Sequence, residues 1–194
     1  MSSSTAYADS LTERVTNAQN LLRSNRTQGL KALNDLFQSG TIPTPALNGS
    51  YRGELIALDV APGLSQAVQG LLSAWMPWKG KTFNAANHQG DNVFQRSTWL
   101  LAHVLWPFYR GYHAKTTETY RAFTFRTYLA PGKDNPDLQV LKIDYDLPDN
   151  PSTSIRRVLD ELVQLQEGYY LGKAHLKWWW GKWQMVAYFS LSDH

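Results

Sequence analysis

Four side chains in this sequence have types and spacing that suit one task. Arg126 alternates with Tyr120, Thr124 and Tyr128 along a run rich in Phe, Thr and Tyr, while Asp144 stands on a later run with Lys142 and Asp146 on its face. A buried arginine needs a carboxylate, because an unpaired buried charge is very costly. That carboxylate is either Asp144 or the head group of a ligand. As an outer-face pair with Asp144, the arginine contributes less than about 1 kcal/mol. In the other case Arg126, Tyr120, Tyr128 and Asp144 orient the polar end of a bound molecule, and Trp78, Tyr170, Trp178 and Tyr188 supply its apolar walls.

His175 is the other side chain of chemical interest. It sits mid-strand in a closing hairpin near Trp178, and Lys173 and Lys177 share its face by strand parity. Two lysines suggest a solvated face, unless that face turns inward. His88, His103, His113 and His194 lie at no recognisable metal spacing. Glu54, Asp160 and Glu161 would serve as acids or bases if buried. No nucleophile elbow, phosphate loop or zinc motif is present. Ser152-Thr153-Ser154 after Pro151 reads as a turn and cap.

Composition narrows the function classes. The chain has 194 residues, 43% hydrophobic and 18% charged, enough for a core and too apolar for disorder. Aromatic residues reach 13%, with eight Trp, the main anomaly. The net charge of +3 is scattered, with Arg156-Arg157 the one adjacent arginine pair, which disfavours a nucleic-acid partner. With no cysteine, thiolate catalysis, disulfides and Cys-ligated metals are excluded. Residues 1–9 lack the basic start and apolar core of a secretory signal, so a cytoplasmic location is expected. The apolar stretch 99–109 is about half of the roughly 20 residues needed to span a bilayer. With its neighbour 64–75 it either covers the barrel or makes a peripheral membrane contact through 99–112, flanked by Arg110 and Lys115.

The elements that must position these residues follow from periodicity. Leu11, Val15, Ala18, Leu21 and Leu22 predict a helix capped by Asp9 or Ser10, and Leu30, Leu33, Leu36 and Phe37 a second one capped by Thr27 and ended at Ser39-Gly40. Strands are predicted over 51–59, 78–84, 91–98, 120–128, 140–145 and 162–166, then in a hairpin whose runs flank Gly181. A helix fits Leu64–Trp75, at least one helical turn fits 152–159, and 99–112 reads either as a helix broken at Pro107 or as a long loop. Short turns and few crossovers favour an antiparallel, mainly-β assembly of about eight strands, closing into a barrel just wide enough for side chains or one small ligand. Residues 1–45 form an amino-terminal helical cap and 46–194 the barrel domain. Both runs of the closing hairpin are apolar on both faces, so the barrel needs an outer cover or a ligand inside.

Two motifs add a resemblance. Gly49-Ser-Tyr51-Arg-Gly53-Glu54-Leu55 and Trp78-Lys-Gly80-Lys81-Thr-Phe83, preceded by Leu36-Phe37 and Pro43–Pro45, resemble the GXWXG/DUF4334 group of small bacterial proteins. Here Tyr51 stands where that group has Trp, and Lys79 where it often has Tyr. The match covers roughly residues 30 to 85 and the rest in outline. The resemblance implies a lipocalin-like barrel, related to fatty-acid-binding and nitrobindin-like proteins. It implies a carrier of a hydrophobic small molecule such as a lipid, isoprenoid or pigment, with no cofactor. The alternatives it carries are a barrel enzyme of cyclase or isomerase type on an isoprenoid or polyketide-like substrate, and a haem barrel with His175 as axial ligand.

Overall fold

The computed structural model describes residues 2–59 and 78–193, with side chains from residue 11 onward. The described residues form eight strands: β1 (Gly49–Leu58), β2 (Trp78–Asn84), β3 (Gln89–Gln95), β4 (Thr119–Pro131), β5 (Gln139–Asp144), β6 (Val158–Gln166), β7 (Tyr169–Lys177) and β8 (Trp183–Ser192). Each pairs antiparallel with the next, and β8 returns to β1, so the sheet closes into a mainly-β barrel. The helix read over Leu64–Trp75 lies outside the described residues.

Most strand boundaries shift by one to four residues from the sequence expectation, and two of the shifts meet helical turns. β6 begins at Val158, and the helical turn before it is only Ile155–Arg157. β3 stops at Gln95, where a short turn (Arg96–Thr98) leads into a helix, Trp99–Leu105, that ends two residues before Pro107. We number that helix α3, after α1 (Ser2–Ser24) and α2 (Arg26–Gln38). α1 runs back to Ser2, past the caps read at Asp9 or Ser10. α2 is capped by Asn25 rather than Thr27: the Asn25 carboxamide oxygen accepts from Gln28 N at 3.1 Å.

Pleating sorts the side chains into two cores. The inward rows include Phe83, Phe94, Tyr120, Phe125, Ile143, Tyr145, Leu162, Tyr170, Ala174, Ala187, Phe189 and Leu191. The second core lies on the outer face, where Leu11, Ala18, Leu33, Leu36 and Phe37 from the helices pack on Ala57, Val140, Val163, Leu171 and Tyr188. Gly29 lets the two helices approach, since a Cβ there would collide with the Leu22 backbone. The link after α2 is stitched to β6 by paired backbone bonds between Thr41 and Gln164 of 3.0 and 2.7 Å. An outer cover therefore accounts for the two-sided greasiness of β7 and β8.

Across the middle of the barrel, aromatic rings lie on glycines. A Cβ on Gly53 would strike the Trp78 ring, one on Gly90 the Phe125 ring and one on Gly172 the Phe189 ring. This explains Gly53 within the Gly49-Ser-Tyr-Arg-Gly53 motif. Tyr51 of the same motif turns inward, edge-on to Phe83 at 5.5 Å and to Tyr170 at 5.6 Å.

Candidate functional site

At the centre of this ring-lined interior lies a buried polar cluster. Lys81 on β2 points inward between Asn92 on β3 and Asp160 on β6, all three side chains buried. Its ammonium donates to Asn92 Oδ1 at 2.9 Å, to the Tyr145 hydroxyl, and to Asp160 Oδ2 at 2.8 Å. An ammonium has three protons, and all three are engaged. The Tyr145 hydroxyl lies 3.1 Å from Asn92 Oδ1 and 3.2 Å from Asp160 Oδ2. The Lys81 ammonium also sits 5.1–5.3 Å from the ring centres of Trp78, Phe125, Tyr145 and Phe189.

Burial governs the electrostatics here. It pushes the Lys81 ammonium below its ordinary range, and Asp160 pulls it partly back. Burial together with the Asp160 charge raises the Tyr145 hydroxyl well above its usual value. Two polar atoms of the site are buried and have no hydrogen-bond partner among the described residues, Asp160 Oδ1 and Trp78 Nε1. They are an acceptor and a donor, each belonging to a side chain in contact with the Lys81 ammonium. At the end of the barrel where β1 leaves the sheet, the inward residues Leu58, Trp78, Leu176 and Val186 are only partly buried.

The site residues read from sequence fall into separate groups. Trp78, Tyr120 and Tyr170 face the interior. Arg126, Tyr128 and Asp144 gather on the outer face, where Arg126 Nη2 lies 2.7 Å from Asp144 Oδ2 with the guanidinium half-exposed, and the Tyr128 hydroxyl is 3.5 Å from the same oxygen. A β-bulge explains the split. Phe123 takes φ +57°, its N–H donates to Tyr109 Oη at 2.6 Å, and the β3–β4 register slips there. Tyr120 and Tyr128, eight positions apart, therefore point to opposite faces. Trp178 is buried in the β7–β8 turn with Nε1 on Gln184 Oε1 at 3.0 Å, and it lines an outer cleft of about 670 Å³ with Tyr128 and Asp144. Tyr188 lies outside the barrel beneath the helices. Asp144 lies on the outer face and has no part in the interior.

His175 lies on the outer face with Lys173. Its Nε2 is 3.2 Å from Asp134 Oδ2 in the β4–β5 turn, which closes over a ring with almost no exposure. Lys173 reaches Asn34 of α2 at 2.7 Å and Asn135 at 3.0 Å. A ring so enclosed, and turned away from the interior, does not fit an axial haem ligand. The cluster that does face inward was hidden in the sequence, because Lys81 read as part of a Gly-Lys motif and Asp160 only as an acid awaiting burial. The signal that could have found them is parity: Lys81 shares its face with Phe83, and Asp160 shares its face with Val158 and Leu162.

The sequence matches no known family profile and no curated protein. A crystal structure of a protein from Thermomonospora curvata is similar in fold, with a TM-score of 0.50 and 13% identity over 94% of this chain and 99% of that one. That likeness extends over nearly the whole of both chains and concerns the fold alone.

Proposed function

We propose that the protein binds a hydrophobic small molecule in the barrel interior, as a carrier, with the molecule's polar end set against Asp160 and Trp78. One observation carries this: a buried ion pair that leaves one acceptor and one donor unmet inside a ring-lined barrel. Buried polar groups are nearly always paired, so two orphans on side chains that both meet the Lys81 ammonium call for a partner. The pair itself argues in the same direction. A buried Lys–Asp pair often stabilises a fold no better than apolar residues of similar volume would, which is in keeping with a role in recognition.

The chemistry of the orphans describes the ligand. Lys81 has no proton to spare and its charge is offset by Asp160, so a carboxylate gains little here. A hydroxyl or an amide meets both orphans, accepting from Trp78 Nε1 and donating to Asp160 Oδ1. The apolar body would lie along Leu58, Leu176 and Val186. The resemblance to lipocalin-like and GXWXG proteins agrees with a carrier of this kind.

The test is a ligand panel read by intrinsic tryptophan fluorescence and native mass spectrometry. It would pair long-chain alcohols and amides with carboxylic acids of equal length. The alcohols and amides are expected to bind, and Trp78→Phe, which keeps a ring but removes the donor, to weaken them roughly fivefold. A panel with no binder, or affinities that Trp78→Phe leaves unchanged, would overturn the reading.

A further inference from the structure

The connections β3–β4, β5–β6 and β7–β8 all lie at one end of an up-and-down barrel, because neighbouring strands alternate in direction. This end carries apolar surface that nothing described covers. α3 turns Trp99, Ala102, His103 and Trp106 toward the barrel, with Ala102 buried and Trp106 Nε1 donating to Ser154 Oγ at 2.9 Å. Its other side is equally apolar. Leu100 is 78% exposed, Val104 75% and Phe108, just beyond the helix, 89%. A helix greasy on both sides normally lies within a core or against a membrane.

A second apolar group stands at the same end. In the β7–β8 turn Trp178 and Trp180 stack at 5.1 Å, and Trp179 lies edge-on to both and is 74% exposed. The β5–β6 connection bridges the two groups. Ser152 lines a cleft of about 320 Å³ with Leu105 and Phe108, and it also lines the cleft of about 670 Å³ that holds Trp178 and Trp179.

Charge identifies what this surface meets. The connections 96–118, 146–157 and 177–182 carry seven Arg and Lys against three Asp and Glu. The totals for the chain are 19 and 16, so these three connections carry a surplus of four positive charges and the rest of the chain carries twelve against thirteen. Exposed Leu, Val, Phe and Trp within a basic rim are the composition of a membrane-interface contact: the apolar groups enter the acyl boundary and the cations meet lipid headgroups. We propose that this end of the barrel docks on an anionic phospholipid bilayer through α3, Phe108 and the tryptophan turn. The surface stands independently of a ligand inside the barrel.

The experiment is co-sedimentation with vesicles of phosphatidylcholine and phosphatidylserine in equal parts, beside vesicles of phosphatidylcholine alone. The protein is expected to pellet with the anionic vesicles and to stay largely in solution with the neutral ones. Leu100→Glu/Val104→Glu should abolish pelleting, and Lys182→Ala should lower the partition constant roughly fivefold. These positions are exposed, so thermal unfolding should be unchanged and should certify the fold. Alcohol and amide uptake from solution by Leu100→Glu/Val104→Glu should match the parent protein, which separates this surface from the interior site. Failure to pellet with anionic vesicles, equal pelleting with neutral ones, or pelleting that survives the double substitution would overturn the proposal. So would a dimer in gel filtration that the double substitution dissolves, since a second copy would then be the occupant.

Discussion

Two cation–carboxylate pairs tie this barrel together, one across its interior and one between adjacent strands, and they differ in almost everything except chemistry. Lys81–Asp160 is sealed inside the barrel, held at 2.8 Å and ringed by four aromatic side chains. Arg126–Asp144 spans β4 and β5 on the outer face at 2.7 Å, with the guanidinium half in water. Distance therefore does not tell them apart; solvent does. In water the attraction between unit charges at such separations is about 1 kcal/mol, and it grows severalfold as the surroundings become apolar. The inner pair has also lost its hydration, so each partner depends on the other.

Removing one inner partner should give the largest effect. Lys81→Met leaves Asp160 buried with its countercharge gone, and a loss of about 3–5 kcal/mol is expected in urea denaturation. Lys81→Met/Asp160→Leu should recover most or all of that loss, and it should still fail to bind alcohols or amides. If the double variant is as unstable as the single one, the pair is a structural support and the comparison loses its point.

The tyrosines extend the comparison to pH. Burial raises Tyr109 and Tyr170 to about 12 and Tyr145 well above its ordinary value, while the partly exposed Tyr128 moves upward by less burial and the neighbouring Asp144 charge. A raised folded value means that the folded state keeps a proton the unfolded chain has released. The stability from these groups is complete below the unfolded value of 10.0 and is lost as pH rises through about 12. Unfolding should accompany the rise of tyrosinate absorbance over that window. Tyr170→Phe should move the transition upward and Tyr128→Phe should leave it in place. Tyrosinate appearing in full before any loss of circular dichroism would contradict the burial of the inner rings.

The outer face has an intermediate case in Lys173, which is buried but paired with the amides of Asn34 and Asn135 rather than with a carboxylate. Its substitution by Met should cost about 1–3 kcal/mol, as two partly buried amide acceptors lose their donor. Because Asn34 belongs to α2, amide hydrogen exchange in α2 should rise more than in β2 or β3. Uniform acceleration through the barrel would mean that the helices and the sheet open as one unit.

How much of this was legible in the sequence depended on which signal each residue obeyed. The strands were legible because Phe, Tyr, Thr and Val crowd between Pro and Gly turns, and β2 matches the expected 78–84. The barrel followed from short connections between them. Faces were harder, since parity holds only along an unbroken strand. The Phe123 bulge inverts β4 halfway, so Tyr120 and Arg126, read as one row, separate. Polar type was also misleading. Arg126 invites a reading as a buried ligand-holder, whereas the cation buried in the interior is Lys81, which no local pattern distinguishes from a surface lysine. The α3 surface was legible as excess apolarity, but its outward stripe is set by which turn of the helix meets the barrel.

Arg126→Ala gives the smallest effect and the sharpest check on the comparison. The hydrogen bond and charge of Asp144 raise the guanidinium further, which by itself suggests a tight pair. Half-exposure argues otherwise, because water screens the attraction and ordering a long side chain costs entropy. A loss below about 1 kcal/mol is expected, shrinking further in high salt, where exposed charges are screened beyond a few ångströms. Alcohol and amide binding should be untouched, since the guanidinium and the interior lie on opposite faces of β4. A loss several times larger, or one indifferent to salt, would mean that Arg126 and Asp144 are shielded from water much as Lys81 and Asp160 are. Binding lost with the arginine would return the ligand's polar end to the outer face of the sheet.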